Sequence, residues 1–326
     1  CTGKEGFDAC KSTAKAVEEA LSIPYNTVAV ASTGVIGMQL PVDKLVAGVK
    51  AMSGGLSDSL EAGNAASKAI MTTDTVNKEL AVSFDIAGVQ VTLGGMSKGS
   101  GMIHPNMCTM LAFLGTDLVI EKALLQEAVS EVVADSFNMI TVDGDTSTND
   151  TLLCMANGLA GNKIITKKNA DYYTFKEALS YVCTNLAKKM AADGEGASKL
   201  FEATIVNAKS KVDAKTLARA IVGSNLSKAA IFGCDANFGR FLCAMGYSGA
   251  DFDQNHVELF FKSEAGTLKV FDKGTPIVFD ENEALKIMKC DTVTVFVDMH
   301  EGDAGATAWG CDLTYDYVKI NADYRS

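Results

Sequence analysis

KGSGMIHPNMCTML, residues 98–111, opens on glycines and carries one proline in its middle. It ends on a threonine set between a cysteine and an apolar run, Met110 to Leu114. A surface loop gains nothing from Thr109 at the mouth of such a run. A nucleophile at the end of a bendable segment does. A threonine hydroxyl is a weak nucleophile that needs an adjacent base. Cutting the chain before Thr109 would supply one, because a free α-amine titrates at about 7.7–8.0, close to working pH, where general bases are most effective. Gly99, Gly101 and Pro105 would let the Cys108–Thr109 peptide bend toward attack by the Thr109 hydroxyl. The residues alone leave a second reading open, in which Thr109 starts a buried strand.

Outward from this stretch, helices and strands intermix. Residues 79–86 and 89–93 read as a hairpin joined by Ala87 and Gly88. Upstream, 8–22 reads as an amphipathic helix with Asp8 as its N-cap. NTVAVAS (26–32) reads as a buried strand that breaks at TGVIG, and helices follow at 42–52 and 57–70. Downstream, the pattern predicts helices at 121–136, 172–191, 212–222 and 281–289. It predicts strands at 138–142, 200–206, 228–232, 257–262, 266–271 and 292–298, with a polar loop at 143–150. There is no steady βαβ beat, so the chain reads as α/β of the layered α+β type, without a doubly wound parallel sheet. No internal repeat or low-complexity linker divides it.

The 326 residues are 48% hydrophobic and 21% charged, a composition that folds. A formal net charge of −11 argues against nucleic acid, which needs clustered Lys and Arg to displace counterions. No apolar run reaches the length of a membrane span. The nine cysteines are odd in number, form no C-x-x-C pair and mostly lie in apolar runs, as buried free thiols of a reducing compartment would. The three histidines are far apart, so no metal site is expected. The chain opens CTGKEGFDAC, and targeting cannot be read from that end.

Familiar motifs fail on inspection. GGMSKGSG places Lys98 before Gly99, with no Gly-Lys-Ser/Thr to cradle a phosphate. DGDTSTND, residues 143–150, starts like a calcium loop, but Thr148 stands where glycine is required and Cys154 where glutamate is required. It reads as a turn that bonds its own backbone. No G-x-S-x-G elbow supports a serine triad.

GGMSKGSGMIHPNMCTML resembles the self-cleaving segment of the ornithine acetyltransferases, the bifunctional glutamate N-acetyltransferase family of arginine biosynthesis. The family's usual ending there is Met-Ala-Thr-Met-Leu, and Cys108 replaces the alanine with another small side chain. STGVIGMQLP (32–41), MTTDT (71–75), TVDGDTSTNDT (141–151), EGASK (195–199), AIFGCDANFGR (230–240) and AWGCDLTYDYVKINADY (308–324) look like family blocks in family order. Phe238 stands where the family usually has Trp, and family members usually begin further upstream.

The resemblance implies an N-terminal-threonine-nucleophile fold of the ornithine acetyltransferase and DmpA-like type. It implies cleavage between Cys108 and Thr109 into an alpha chain, 1–108, and a beta chain, 109–326, forming one catalytic unit. Thr109 would then be both the self-cleaving residue and the acyl acceptor, with Thr33 and Gly34 as the oxyanion hole. Thr72 (chosen over Thr73), Lys98, Thr109, Glu195, Asn321 and Ser326 would bind substrate. The reaction implied is transfer of acetyl from N2-acetyl-L-ornithine to L-glutamate, with no metal or bound cofactor and with acetyl-CoA as a further donor in some members. The partners implied are the two small substrates and the cleaved chains themselves, associated as a heterotetramer. The compartment expected is the cytoplasm, with an organellar origin left open. Two alternatives stand beside this reading: an aminopeptidase or amidase with the same threonine chemistry, and an uncleaved non-catalytic relative.

Overall fold

Alternating residues before Lys98 build the hairpin that carries the site. In the computed structural model, which describes residues 2–105 and 110–323, β1 (Lys78–Ile86) and β2 (Val89–Lys98) pair antiparallel from Lys78↔Ser97 to Ile86↔Val89. Ala87 and Gly88 turn the corner at φ 53° and 87°, the doubly left-handed geometry that matches strand twist in two-residue hairpin turns. β3 (Leu111–Thr116) lies antiparallel to β2, with Lys98 opposite Leu111. β4 (Ile140–Thr141) belongs to a second sheet, whereas β5 (Thr151–Ala156) runs parallel to β3, with Leu111 opposite Thr151. The end of β2 and the starts of β3 and β5 therefore meet at one end of a four-stranded sheet. The chain leaves that end after Lys98 and re-enters the sheet at Leu111.

The second sheet has seven strands in the order β4-β11-β6-β10-β7-β8-β9. It takes in β6 (Leu200–Ala208), β7 (Glu258–Ser263), β8 (Gly266–Asp272), β9 (Thr275–Pro276), β10 (Thr292–Asp298) and β11 (Ala304–Cys311). Parallel β6–β10 and β4–β11 pairs sit among antiparallel neighbours, so the sheet is mixed and not doubly wound.

The long helix α5 (Ala170–Ala192) packs between the two sheets. Phe175, Leu179, Val182, Leu186 and Met190 recur at three and four residues and are fully buried, each burial stabilising the fold by roughly 1.5–3 kcal/mol. Phe175 meets Phe84 of β1 with ring centroids 6.4 Å apart. Lys188 of α5 pairs with Glu202 of β6 at 2.7 Å. Successive strand residues point to opposite faces, so Phe201 turns away from α5 and stacks edge-on with Phe241 at 5.9 Å. α4 (Lys122–Asp135) lies beside α5, and α6 (Lys211–Gly223), α7 (Asn225–Phe232) and α8 (Phe238–Gly246) follow β6 in sequence, with α6 packed on β6 and β11. α9 (Glu281–Met288) packs on β7 and β8, and α10 (Tyr315–Asp323) follows β11. The N-terminal α1 (Gly3–Leu21), α2 (Val42–Met52) and α3 (Leu60–Ala69) complete the described helices.

Three sequence expectations are corrected. Residues 228–232 are helical, within α7, and not a strand. A short apolar run does not separate buried helix from buried strand, and here the Ser224 side chain accepts the Ser227 N–H and starts a helix. Residues 26–32 form no strand: residues 30–32 line a groove together with residues 148–151, and 26–32 pair with no strand among the described residues. Asp8 caps nothing, since α1 already begins at Gly3.

Candidate active site

Lys98 closes β2 and is only 2% exposed. Burial pulls its ammonium below the usual lysine range, and the carboxylates of Asp74, Asp150 and Glu195 oppose that shift. Its Nζ donates to Thr72 Oγ1 at 3.3 Å. The turn carrying Thr72 and Thr73 is fixed by Asp74. Asp74 Oδ2 accepts the Thr72 N–H at 3.1 Å, and Oδ1 accepts the Gly99 N–H at 2.7 Å. Lys78, fully buried on β1, donates to Asp74 Oδ1 at 2.7 Å and to Asp193 Oδ2 at 2.6 Å. Burial alone would raise the Asp74 pKa, yet the bonds from Lys78, Gly99 and Thr72 hold it below the ordinary value. Asp193, at the C-terminal end of α5, also accepts the Thr75 N–H at 3.1 Å. One ammonium thus ties the Thr72–Thr73 turn to β1 and to α5.

Glu195 lies just beyond α5 and is buried. Its Oε1 accepts the Thr73 hydroxyl at 2.8 Å, and its Oε2 accepts Asn321 Nδ2 at 2.8 Å. Its own N–H donates to the Ser100 carbonyl at 2.9 Å. A Cβ at Gly101 would stand 2.4 Å from this carboxylate, so only glycine lets the 99–102 backbone pass so close. Asn321 arrives on α10, whose Tyr317 hydroxyl contacts Asp143 at 3.3 Å.

The 143–150 loop grips both described ends of the segment that starts at Gly99. Asp143 accepts the Met102 N–H at 2.6 Å and the Ile103 N–H at 3.0 Å, and Thr146 donates to the His104 carbonyl at 2.9 Å. On the far side the Met110 N–H donates to Asp150 Oδ1 at 2.9 Å, and the Thr151 N–H donates to the Met110 carbonyl at 3.0 Å. Burial raises the Asp143 pKa. It pushes Asp150 up to about 6, against the pull of the Met110 N–H and Lys98. Among the described residues Asp150 Oδ2 is buried without a hydrogen-bond partner.

A cavity of about 280 Å³ opens over these groups. Thr33, Gly34, Thr72, Lys98, Glu195 and Asn321 all line it. Six residues singled out from sequence, spread from position 33 to 321, therefore converge on one space. Thr73 lines it as well, and Ser147, Thr148 and Asn149 form a wall that leads directly to Asp150. Cys108, Thr109 and Ser326 lie outside the described residues. Sequence reasoning assigned nothing to Asp74, Lys78, Asp193 or Asp150. Asp74 sits in the quoted MTTDT block and Asp150 in DGDTSTND, but acceptor side chains in such blocks carry no sign of which backbone N–H groups they hold. The cavity presents a buried cation and a buried carboxylate, the two charges that a zwitterionic amino acid needs.

The sequence matches the ArgJ family over residues 1–326. The arginine biosynthesis bifunctional protein ArgJ of Caldanaerobacter subterraneus subsp. tengcongensis is 51% identical over 326 residues, which is 100% of this chain and 80% of that protein. The same-named protein of Symbiobacterium thermophilum is also 51% identical, with the same coverage. The crystal structure of the arginine biosynthesis bifunctional protein ArgJ from Bacillus halodurans superposes with a TM-score of 0.62 at 44% identity, covering 65% of this chain and 98% of that one. Among the described residues no helix is long and apolar enough to cross a membrane. With the layered fold, the six-residue cavity and full-length identity of about one half all in agreement, the chain belongs to the ArgJ family.

Proposed function

We propose that Thr109 is the nucleophile through which this chain performs the chemistry of its family. The chain is an acetyltransferase of arginine biosynthesis, acting as ornithine acetyltransferase and glutamate N-acetyltransferase. The precursor cuts itself between Cys108 and Thr109, leaving residues 1–108 and 109–326 as two associated chains. Residues 109–326 make up two thirds of the sequence, and the Bacillus halodurans chain, matched over 98% of its own length, corresponds to 65% of this one. That agreement supports the division.

The freed Thr109 amine takes the proton from its own hydroxyl as the oxygen attacks the acetyl carbonyl of N2-acetyl-L-ornithine. Thr33 and Gly34 donate to the oxyanion, and one such donor is worth about 10²–10³ in rate. Lys98 holds the substrate carboxylate and Glu195 the side-chain ammonium, with Asn321 and Ser326 closing the site. Ornithine leaves, and glutamate attacks the acetyl-threonine to give N-acetylglutamate. No bound cofactor takes part, and acetyl-CoA is the second donor to test. The assembly is a heterotetramer of the two cleaved chains, working in the cytoplasm.

The observation that carries this reading is the pair of buried opposite charges, Lys98 and Glu195, in one cavity beside the clamp on Met110. Intact mass under denaturing conditions tests the cut. Wild type should give two pieces that meet at 108/109, and Thr109→Ala should stay whole. Incubation with acetyl-ornithine, with and without glutamate, tests the reaction. Release of free acetate with no N-acetylglutamate would rule out the transferase.

A further inference from the structure

EGASK (195–199) gives the candidate active site its Glu195, and AIFGCDANFGR (230–240) gives it nothing. The fold nevertheless joins the two blocks at one point. Lys199, the residue before β6, places Nζ 2.9 Å from Cys234 Sγ. Both partners are held. The Lys199 N–H donates to Asp312 Oδ1 at 3.1 Å, and Nζ donates to the carbonyls of Ile231 at 3.3 Å and Met288 at 2.5 Å. The described contacts of Nζ are thus two carbonyl oxygens and the sulfur, with no carboxylate among them. Cys234 sits just past α7 at φ 53°. Its N–H donates to the Ile231 carbonyl at 3.3 Å, and the Asp235 N–H donates to the Ala230 carbonyl at 2.9 Å. Both residues of the pair are half-buried, and Gly233 and Asp235 beside the cysteine are exposed, so a small solute can reach the sulfur.

We propose that Lys199 and Cys234 form a reversible oxidation site, in which a hydroperoxide converts the thiol to a sulfenic acid and the lysine amine closes on the sulfur as a sulfenamide. Oxidation of a thiol follows its accessibility, and a sulfenic acid left alone proceeds to the irreversible sulfinic acid unless a thiol or a nitrogen traps it. At Cys234 the trapping nitrogen is already in contact. A second lysine–cysteine contact shows what the pair needs. Lys228 Nζ lies 3.5 Å from Cys311 Sγ, but both residues are buried, and burial pushes the Cys311 thiol up. That sulfur is closed to oxidants. Cys290 is the thiol that could compete for the Cys234 sulfenic acid, two residues beyond Met288, but its Sγ is turned to the Lys286 carbonyl at 3.6 Å.

The atoms balance with the hydroperoxide as the oxidant consumed. In the first step sulfur gives up two electrons and the peroxide O–O bond breaks. One oxygen stays on sulfur as S–OH, and the other leaves as water or, from an organic peroxide, as the alcohol. The Lys199 ammonium then gives one proton to solvent. Its nitrogen lone pair forms the S–N bond as the S–O bond breaks, and the departing hydroxide leaves as water with an N–H proton. A small thiol reverses the link. It attacks sulfur, the nitrogen departs as the amine with the thiol's proton, and a second thiol releases Cys234 as the two reductants join in a disulfide.

The test treats the full-length chain with hydrogen peroxide, alkylates the remaining thiols and maps the peptides by mass spectrometry, for wild type, Cys234→Ser and Lys199→Arg. Wild type should give a new species joining the Lys199 and Cys234 peptides, lighter than their sum by two hydrogens. Trypsin should no longer cut after Lys199. Dithiothreitol should erase the species and return Cys234 to alkylation. Cys234→Ser should lose the cross-link. Lys199→Arg keeps the positive charge without the nucleophilic amine, and at the same peroxide dose its Cys234 should run on to the sulfinic acid. Cys311 should stay a free thiol throughout. Should Lys199→Arg fail to fold, the wild-type and Cys234→Ser maps decide. In wild type, a Cys234 that ends as sulfinic acid beside an unmodified Lys199 overturns the proposal. So does a Cys234–Cys290 disulfide, or a Cys234 that stays a free thiol while Cys243, the exposed cysteine, is oxidised.

Discussion

A carboxylate whose pKa is raised by burial weakens the fold once it ionises, and Asp150 should show this directly. Its ordinary value is 3.8 and its folded value is about 6. Below about pH 3 the group is largely neutral in both states and adds almost no penalty. Between about pH 3 and 7 the unfolded chain is more ionised than the folded one, so stability falls as pH rises. Above about pH 7 the loss is constant. For these two values the penalty is about 3 kcal/mol at pH 7.5 and about 1 kcal/mol at pH 4.5, a difference of about 2 kcal/mol. Asp150→Asn removes the charge but keeps an oxygen for the Met110 N–H. Any fixed cost of the amide is the same at both pH values, and other titrating groups are common to both proteins. Urea unfolding of Thr109→Ala against Thr109→Ala with Asp150→Asn, both uncut, isolates the term. The asparagine protein should gain about 2 kcal/mol relative to its partner between pH 4.5 and 7.5. An equal difference at both pH values would show that the Asp150 carboxylate carries no burial penalty.

Other perturbations follow from the same contacts. Gly101→Ala puts a Cβ 2.4 Å from the Glu195 carboxylate, so steady-state kinetics should show a severe loss in kcat/KM while the melting curve stays cooperative. Lys78→Met leaves Asp74 and Asp193 buried without their cation and should cost about 3–5 kcal/mol in denaturant unfolding. Ala87 holds φ 53° in the hairpin turn, and Ala87→Gly should stabilise the fold by roughly 0.5–1 kcal/mol by relieving that strain. Cys108→Ala should leave cleavage, read by intact mass, within a few-fold of wild type, because both side chains are small.

The hairpin, α4, α5, α6 and α9 were legible because each is long or regular enough for its period to show. The strand expected at 228–232 was not, since AIF fits buried helix and buried strand alike until Ser224 is seen to cap the turn. The strand expected at 26–32 failed for another reason. Val28 to Ala31 have the right composition, but a strand is defined by its neighbour, and composition does not name one. The cavity was legible residue by residue only through family blocks. Nothing local links Thr33 to Asn321, and their meeting depends on both sheets and α10. Least visible were the aspartates. Asp74, Asp143, Asp150 and Asp193 look like turn residues in a row of letters, and their roles depend on which N–H groups the fold delivers to them.

Lys98 and Glu195 raise the question of why two buried opposite charges in one cavity do not neutralise each other. Among the described residues neither forms a salt bridge. Asp74, which faces Lys98, is already bonded to Lys78 at 2.7 Å. Consecutive threonines then hold the two charges on separate leashes, Lys98 on the Thr72 hydroxyl and Glu195 on the Thr73 hydroxyl. Each charge has left water without gaining a counter-ion, a debt that a ligand carrying both a carboxylate and an ammonium can offset. Thr73→Val tests this division. It removes one of the two hydrogen bonds on Glu195 and leaves the carboxylate free to swing toward Lys98. Once paired, both charges are lost to substrate. KM for acetyl-ornithine should rise by about tenfold, the equivalent of one charge-assisted hydrogen bond of about 1.5 kcal/mol, while the self-cleavage rate stays put. A fall in kcat with KM unchanged would mean that Thr73 serves the chemical step, and that the two charges do not need to be kept apart.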